Sequence, residues 1–265
     1  SNNIFFCLAT LNHPAGTDPQ LVQGGPAVTI GYNFGNGGDQ DANWSGYMNF
    51  VVKDIGGGLL GYSPLGGSIA AGQAVVMNTF AFGSGAGCPG YVPGAPYNLG
   101  RTVTHELGHF YNLKHTFTGS CGTDDGIADT PNIANDNGGC PANGSINACV
   151  AGQKALTMNY MDYVNDACMY MFTQGQAAVS TAYLNVLQAQ FKPNVTDCSF
   201  GPGFSITAVN NSIDACTTSG STQFNLTYNT FEGFIETTTF SASGAPAGSN
   251  VTFSPTTANS DNTSV

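Results

Sequence analysis

Basic residues are scarce in this chain of 265 residues: lysine and arginine together number 5, against 16 aspartates and glutamates. The formal net charge at pH 7 is therefore -11. Proteins that bind nucleic acid or anionic membrane surfaces present clusters of positive charge, which this chain is poorly equipped to supply. The sequence also lacks any run of about 18 apolar residues, the length that a membrane-spanning helix needs. We therefore expect neither nucleic acid nor membrane insertion among its interactions.

The chain contains no CxxC pair, the spacing typical of a structural zinc ribbon. It does contain 8 cysteines, an even number, together with 36 glycines. This composition is typical of disulfide-bonded proteins from oxidising compartments, so we predict a secreted protein. The sequence does not open on a charged segment followed by an apolar one, as a signal peptide would. Its opening apolar run at 3–10 instead predicts a domain that lacks its first segment.

Composition and hydrophobic periodicity divide the chain into two predicted domains, 1–195 and 196–265. The first combines predicted helices with strand-like runs and a long loop; the helices are at 98–112 and 173–190, the strands at 3–10, 47–53, 58–63 and 74–82, and the loop at 116–157. The second is rich in serine, threonine and asparagine and alternates with a period of two at 204–209, 223–228, 237–242 and 250–253. An immunoglobulin-like sandwich needs about seven strands, so we predict that 196–265 is a truncated β-sandwich domain.

Three of the 4 histidines lie close together, in the segment His105-Glu-Leu-Gly-His109-Phe-Tyr-Asn-Leu-Lys-His115. His105 and His109 are one helical turn apart, so both imidazoles project from one helix face, and neutral imidazole is a good zinc ligand. Glu106 lies beside them, where it could take a proton from an activated water without binding the metal itself. His13 lies in a loop rich in proline and glycine, and we expect it to be a surface residue.

The third metal ligand requires the chain to turn back after the helix. The turn is predicted at Asn112, because asparagine tolerates the left-handed conformation better than most residues other than glycine. Glu106 is the only glutamate before Glu232, so no glutamate further along the first domain could be the ligand. This favours His115, with Asp124, Asp125 or Asp129 as the alternative. A helix and loop that merely carry surface histidines are disfavoured, because the complete pattern rarely arises by chance.

The segment His105-Glu-Leu-Gly-His109-x-x-Asn-x-x-His115 resembles the HExxHxxGxxH signature of the metzincin metallopeptidases, with Asn112 at the glycine position. Metzincins also carry a methionine turn beneath the zinc, and Asn159-Tyr-Met161-Asp-Tyr163 is placed as such a turn would be. Together with Gly100-Arg-Thr-Val-Thr-His105 and His115-Thr-Phe117, these motifs resemble the pappalysin family over about residues 3–192. The resemblance implies an α+β fold, namely a metzincin catalytic domain with a mixed twisted sheet, an active-site helix and a loop-rich C-terminal subdomain that contains the methionine turn.

The resemblance also implies roles for individual residues. Tyr163 would lie near the zinc, as a fifth ligand or as a group that stabilises the transition state, and Met161 would form a hydrophobic floor under the site. Calcium would be held by Asp125, the Ala128 carbonyl and Thr130, for which a solvated acidic loop is the alternative. The implied disulfides are Cys121–Cys149 and Cys140–Cys168, which leaves Cys7–Cys88 and Cys198–Cys216 as further pairs.

The function that follows is that of a secreted, monomeric zinc endopeptidase acting on proteins or peptides, with Glu106 as general base. An extended substrate would pair with an exposed edge strand at 58–62. Relatives that cleave before arginine or lysine carry an acidic residue where this chain has Ala167, so a basic preference is not implied. Two alternatives remain: a secreted binding or adhesion protein that keeps the zinc site without turnover, and a protein whose β-rich tail binds a surface or polysaccharide.

Overall fold

The structure is a computed structural model that describes residues 4, 6–14, 18–84, 93–195, 203–208, 222–231, 233–242 and 248–265. The chain divides into two compact units, Ser1–Thr196 and Asp197–Val265. Each unit has its own hydrophobic core. The two domain assignments, a catalytic domain at 1–195 and a truncated β-sandwich at 196–265, stay predictions.

The first unit contains a mixed sheet of three strands, β1 (Asn49–Lys53), β2 (Gly61–Tyr62) and β3 (Ala74–Asn78). The order is β1-β3-β2, with β1 parallel and β2 antiparallel to the central strand β3. All five residues of β3 are buried, because the strand is covered on both faces and its side chains alternate between them. Among the described residues β2 is an outer strand of this sheet, and it lies within the segment predicted to be an edge strand.

The two faces of β3 support two clusters of the core. Val75 and Met77 pack with residues that include Phe110 and Leu187, while Ala74 and Val76 pack with an aromatic group that consists of Phe34, Trp44 and Tyr47. Short 3-10 turns, at Phe34–Gly37 and Ala42–Trp44, carry two of these aromatic rings. The sheet is thus fixed from both sides.

The two predicted helices are present and slightly shorter than expected: α1 spans Arg101–Phe110 and α2 spans Gln174–Gln188. Helix α1 places Val103, Leu107 and Phe110 in the first core cluster. Helix α2 begins at a capping box, in which the Thr173 hydroxyl accepts from the Gln176 amide and the Gln176 side chain accepts from the Thr173 amide. No helix in the described part of the chain has both the length and the apolar character that a bilayer crossing needs.

The segment between the helices is a cross-linked loop, as predicted. Residues 116–157 are all described and contain isolated bridges but no helix or longer strand. Disulfides join Cys121 to Cys149 and Cys140 to Cys168, the two pairings that the resemblance implied. Cross-links of this kind stabilise a loop by restricting the unfolded chain, by about 3 kcal/mol each. Neither of the other proposed pairs is described in full: Cys88 of the pair Cys7–Cys88 and both members of the pair Cys198–Cys216 lie outside the described residues.

Two expectations for the start of the chain are wrong. Residues 4 and 6–10 form no strand, because their backbone groups bond to loops: the Thr10 amide donates to the Val195 carbonyl, and the Ala27 amide donates to the Ala9 carbonyl. His13 was expected at the surface, but it is only 6% exposed. Its Nε2 lies 3.3 Å from the Ala9 carbonyl oxygen, within the fold of this opening segment.

The described residues of the second unit form short antiparallel strands in two small sheets. The first has the order β4-β5-β8 and the second pairs β6 with β7; the strands are β4 (Gly203–Ala208), β5 (Leu226–Phe231), β6 (Thr238–Thr239), β7 (Thr257–Ala258) and β8 (Thr263–Ser264). Its core contains Tyr228, Phe240 and Ala258. The strand expected at 250–253 is absent, and pairing instead occurs further along, in β7 and β8.

Candidate metal and catalytic site

Three imidazoles converge at the end of helix α1. His105 and His109 project from the helix, which ends at Phe110, and Asn112 adopts a left-handed conformation with φ of 71°. This is the turn expected at that residue, and it returns His115 to the helix face. The Nε2 atom of His115 lies 3.2 Å from Nε2 of His105 and 3.0 Å from Nε2 of His109. The three residues therefore form a group whose ligand atoms could hold one metal ion.

Backbone carbonyls fix the orientation of the two helical imidazoles. His105 Nδ1 lies 2.6 Å from the Tyr160 carbonyl oxygen, and His109 Nδ1 lies 2.7 Å from the Leu113 carbonyl oxygen. Because a carbonyl can only accept, each Nδ1 must carry the proton and each Nε2 must present a lone pair. Metal-binding histidines are commonly oriented by such an outer hydrogen bond.

The electrostatics keep all three imidazoles neutral. Burial, reinforced by the neighbouring His109 and His115, lowers the pKa of His105 to about 3. Burial also lowers the pKa of His109, and burial together with His109 lowers the pKa of His115 to about 4. The Nε2 lone pairs of His105 and His109 both face Nε2 of His115, so a cation bound among the three atoms would be coordinated by neutral imidazole nitrogens. The donor set, three neutral imidazoles, suits zinc.

Glu106 lies beside the histidines, between the helix and strand β2. Its side chain is 6% exposed, and its buried Oε2 has no hydrogen-bond partner among the described residues. Burial raises the pKa of Glu106 to about 8. A Cβ added at Gly61 in β2 would lie 3.1 Å from Glu106 Cγ and 2.9 Å from the Val76 carbonyl oxygen, so only glycine fits there without displacement. The edge strand therefore passes directly by the carboxyl group.

Two aromatic rings enclose His115. The Phe117 ring is stacked on its imidazole, with centroids 4.5 Å apart and an interplanar angle of 9°. The Tyr163 ring lies 4.9 Å from the His115 ring and 5.6 Å from the His105 ring. Burial raises the pKa of Tyr163, with smaller contributions from the charges of Glu106 and Asp136. The Tyr163 hydroxyl thus keeps its proton at neutral pH and can act as a hydrogen-bond donor.

Met161 lies directly beneath the helix. It is fully buried, and its backbone amide donates to Asn159 Oδ1, which also accepts from the Gln176 side chain at the start of α2. A Cβ added at Gly108 would collide with Met161 Sδ. Glycine between the two histidines of α1 therefore allows the helix to rest closely on the methionine.

We predict that Gly108→Ala destabilises the protein by about 1–3 kcal/mol, because the added methyl group overpacks this contact. In a Met161→Ala background the sulfur is gone, and the same change should be neutral or stabilising by up to about 1 kcal/mol, the helix propensity of alanine. Denaturant unfolding of the four proteins of this cycle measures the coupling. Equal costs in both backgrounds would contradict the proposed contact.

Ala167 and Asp166 occupy a 3-10 turn, Asp166–Cys168, and only the alanine faces solvent. Asp166 is 2% exposed, and its Oδ2 accepts from the amides of Leu99 and Arg101. It therefore supplies the start of α1 with an acceptor that the preceding Gly100 cannot provide. Its carboxylate accepts hydrogen bonds from the start of the helix. Asp166 therefore does not substitute for the acidic residue that some relatives carry at the position of Ala167.

Two of the candidate calcium residues, Asp125 and Thr130, are hydrogen-bonded to each other. The Thr130 hydroxyl lies 2.8 Å and 2.7 Å from the two carboxylate oxygens of Asp125, whose Oδ1 also accepts from the Ile127 amide. Both side chains are buried, whereas Ala128 is exposed. Asp129 instead accepts from the Thr173 hydroxyl and the Gly175 amide at the start of α2. A calcium site in this segment stays a prediction, and none of its aspartates joins the histidine group.

The sequence did not reveal the residues that hold the site from outside. The carboxylate of Asp162, which is fully buried, accepts from the Asn137 backbone and side chain and so fixes the loop beside Tyr163. Asp166 supports α1 from 65 positions away. The sequence offers only weak signals of these supporting roles. Asp162 lies inside the methionine-turn motif, but no local pattern connects Asp166 to helix α1.

Comparisons with known proteins identify relatives of this chain. The profile of the Peptidase_M43 family, described as pregnancy-associated plasma protein-A, matches residues 91–185. Extracellular metalloprotease 1 of Coccidioides posadasii is 40% identical over 128 residues, which cover 48% of this chain and 45% of that protein. An extracellular metalloprotease of Colletotrichum graminicola is 34% identical over 200 residues, which cover 69% of this chain and 68% of that protein.

Among solved structures, mirolysin in complex with compound 9 is similar, with 33% sequence identity and a TM-score of 0.51 over 61% of this chain and 65% of mirolysin. The chain spans about half the length of most of the curated relatives that it matches. The similarity to mirolysin shows that the fold is the α+β metzincin fold, which the resemblance of the sequence motifs implied. By its sequence, its fold and its histidine group, this chain belongs to the pappalysin family of metzincin metallopeptidases.

Proposed function

We propose that the first unit is the catalytic domain of a secreted zinc endopeptidase. The observation that carries the proposal is the convergence of three Nε2 atoms, from His105, His109 and His115, beside the buried Glu106 Oε2, which has no hydrogen-bond partner among the described residues. Secretion is supported by the names of the relatives, which are extracellular metalloproteases, and by the two disulfides.

His105, His109 and His115 would hold the zinc, each through Nε2. When bound, zinc supplies a Lewis acid that polarises the substrate carbonyl and makes water acidic enough to be deprotonated near neutral pH. Three protein ligands leave a coordination position open, which is the arrangement of catalytic rather than structural zinc sites. The carbonyls of Tyr160 and Leu113 hold two of the imidazoles in the required tautomer.

Glu106 would act as the general base and then as the general acid. Its Oε2 has no hydrogen-bond partner in the described part of the chain, so it would be able to take the proton of the attacking water and to deliver it to the leaving amine. Burial makes the carboxyl group a better proton acceptor than an exposed glutamate, while a nearby cation would offset part of that effect. Glu106 thus has the position and the basicity for both proton transfers.

Tyr163 and strand β2 would position the substrate. The protonated hydroxyl of Tyr163 could donate a hydrogen bond to the oxyanion that develops on the scissile carbonyl. The outer edge of β2, which pairs with no other strand in the described residues, offers backbone groups for an extended peptide, an interaction that demands little of the substrate sequence. Ala167 provides no carboxylate for a basic residue after the scissile bond, so small or apolar residues are expected there.

Digestion of a proteome-derived peptide library by the zinc-loaded protein, with and without a zinc chelator, tests this function. We expect new peptide termini that disappear with the chelator and return when zinc is added back. Folded, zinc-loaded protein that cleaves nothing would overturn the proposal. Zinc binding without cleavage would favour the alternative of a non-catalytic binding protein.

A further inference from the structure

A cavity of about 340 Å³ opens beside the histidine group. It is lined by Ser63 and Leu65, which follow strand β2, and by residues from the end of α1 and the segment after it, namely His109, Lys114, His115, Phe117 and Thr118. The accessible lining is mainly apolar. Leu65 is 51% exposed, so its side chain is accessible to a bound molecule.

The wall of this cavity is preformed. The amides of Gly66 and Gly67 donate to the carbonyls of His109 and Phe110 at the end of α1, with N–O distances of 2.9 Å and 3.0 Å. A Cβ added at Gly67 would collide with the Phe110 ring, so the backbone lies as close to the helix as glycine permits. A rigid wall binds a side chain without a large ordering cost.

The direction of β2 determines which part of a substrate reaches the cavity. Gly61 passes beside Glu106, and the strand then runs towards Ser63 and Leu65. A peptide that pairs antiparallel with the free edge of β2 runs the opposite way, so its residues opposite Ser63 and Leu65 precede the bond held at Glu106. With a rise of about 3.4 Å per residue, the cavity lies within about three positions of that bond.

Resting on the function proposed above, we infer that this cavity is a specificity subsite for a large apolar side chain, located within three residues before the scissile bond. Leu65 and Phe117 provide the apolar contacts. Lys114, which is exposed at the same cavity, opposes lysine and arginine there through like charge. The subsite thus selects among substrates by a residue on the amino side of the scissile bond. Without Lys114, the net negative charge of the chain would favour basic residues there.

The positional preferences of the cleaved library test this inference. Wild type should show enrichment of leucine, phenylalanine or methionine, and depletion of lysine and arginine, at one position among the three before the bond. Leu65→Ala should reduce the apolar preference about tenfold, because the wall loses a leucine-sized contact. Lys114→Met, which keeps an unbranched stem without the charge, should relieve the depletion of basic residues at the same position.

Val186→Ala provides the matched control, since Val186 is an exposed aliphatic residue of α2 that does not line the cavity. It should leave the preferences unchanged. Enrichment confined to positions after the scissile bond, or an apolar preference that Leu65→Ala does not alter, would overturn the inference while leaving the proposed peptidase intact. Absence of any cleavage by wild type would overturn both.

Discussion

Glu106→Gln is expected to reduce kcat to below about 1% of wild type, since a general base contributes about 10²–10⁴-fold. Glutamine keeps the size of the side chain but cannot accept the proton of the attacking water. The three imidazoles that would bind zinc are untouched, so the variant should retain stoichiometric zinc. The measurement is peptide hydrolysis together with metal analysis of the purified protein.

Glu236→Gln is the matched control, because Glu236 is an exposed residue of the second unit and the same chemical change there should leave turnover unaltered. Activity of Glu106→Gln above about 1% would exclude Glu106 as the base. Loss of zinc along with activity would instead indicate that Glu106 supports the metal site itself, which contradicts the proposed role.

The metal-free protein should lose stability as the pH rises, through the burial of Glu106. The unfolded carboxyl group titrates near 4.5, whereas burial raises the pKa in the folded protein to about 8. Between these values the unfolded chain has released a proton that the folded chain still holds, so the free energy of unfolding falls with increasing pH. At about 1.36 kcal/mol per pKa unit, the full shift corresponds to roughly 5 kcal/mol.

The depressed pKa values of the histidines act in the opposite direction, because His105 and His115 remain neutral in the folded protein and cost stability as the pH falls below about 6.5. Glu106→Gln removes the carboxyl group and leaves this histidine contribution in place. Denaturant unfolding in chelator should therefore show the variant gaining stability over wild type between pH 5 and pH 8. A difference that does not change with pH would contradict the burial of an ionisable Glu106.

Much of the fold was predictable where the pattern is local. Helix α2 was expected at 173–190 and found at Gln174–Gln188, because its start is encoded by Thr173 and Gln176 within one turn. The turn at Asn112 was likewise predictable, because few residues tolerate a positive φ. The opening segment was mispredicted because its apolar composition suits a strand, whereas its backbone partners lie in loops that include Val195.

The sequence by itself determined the convergence of the histidines. A spacing of four places His105 and His109 on one face of any helix that contains both residues. Asn112 tolerates the positive φ that returns His115 to that face. The class of fold and the disulfide pairs of the loop followed from resemblance to a family whose motifs are specific.

Only the tertiary structure decided how the site is held and what surrounds it. The carbonyls of Tyr160 and Leu113 set the tautomers of His105 and His109, Asp166 supports the start of α1, and Leu65 and Phe117 line one cavity. Most of these contacts join residues that are about 50 or more positions apart, so no local periodicity reports them. They form because packing of the sheet, the helix and the cross-linked loop brings separate segments to one place, and hydrogen bonding then selects the side chains that can remain buried there.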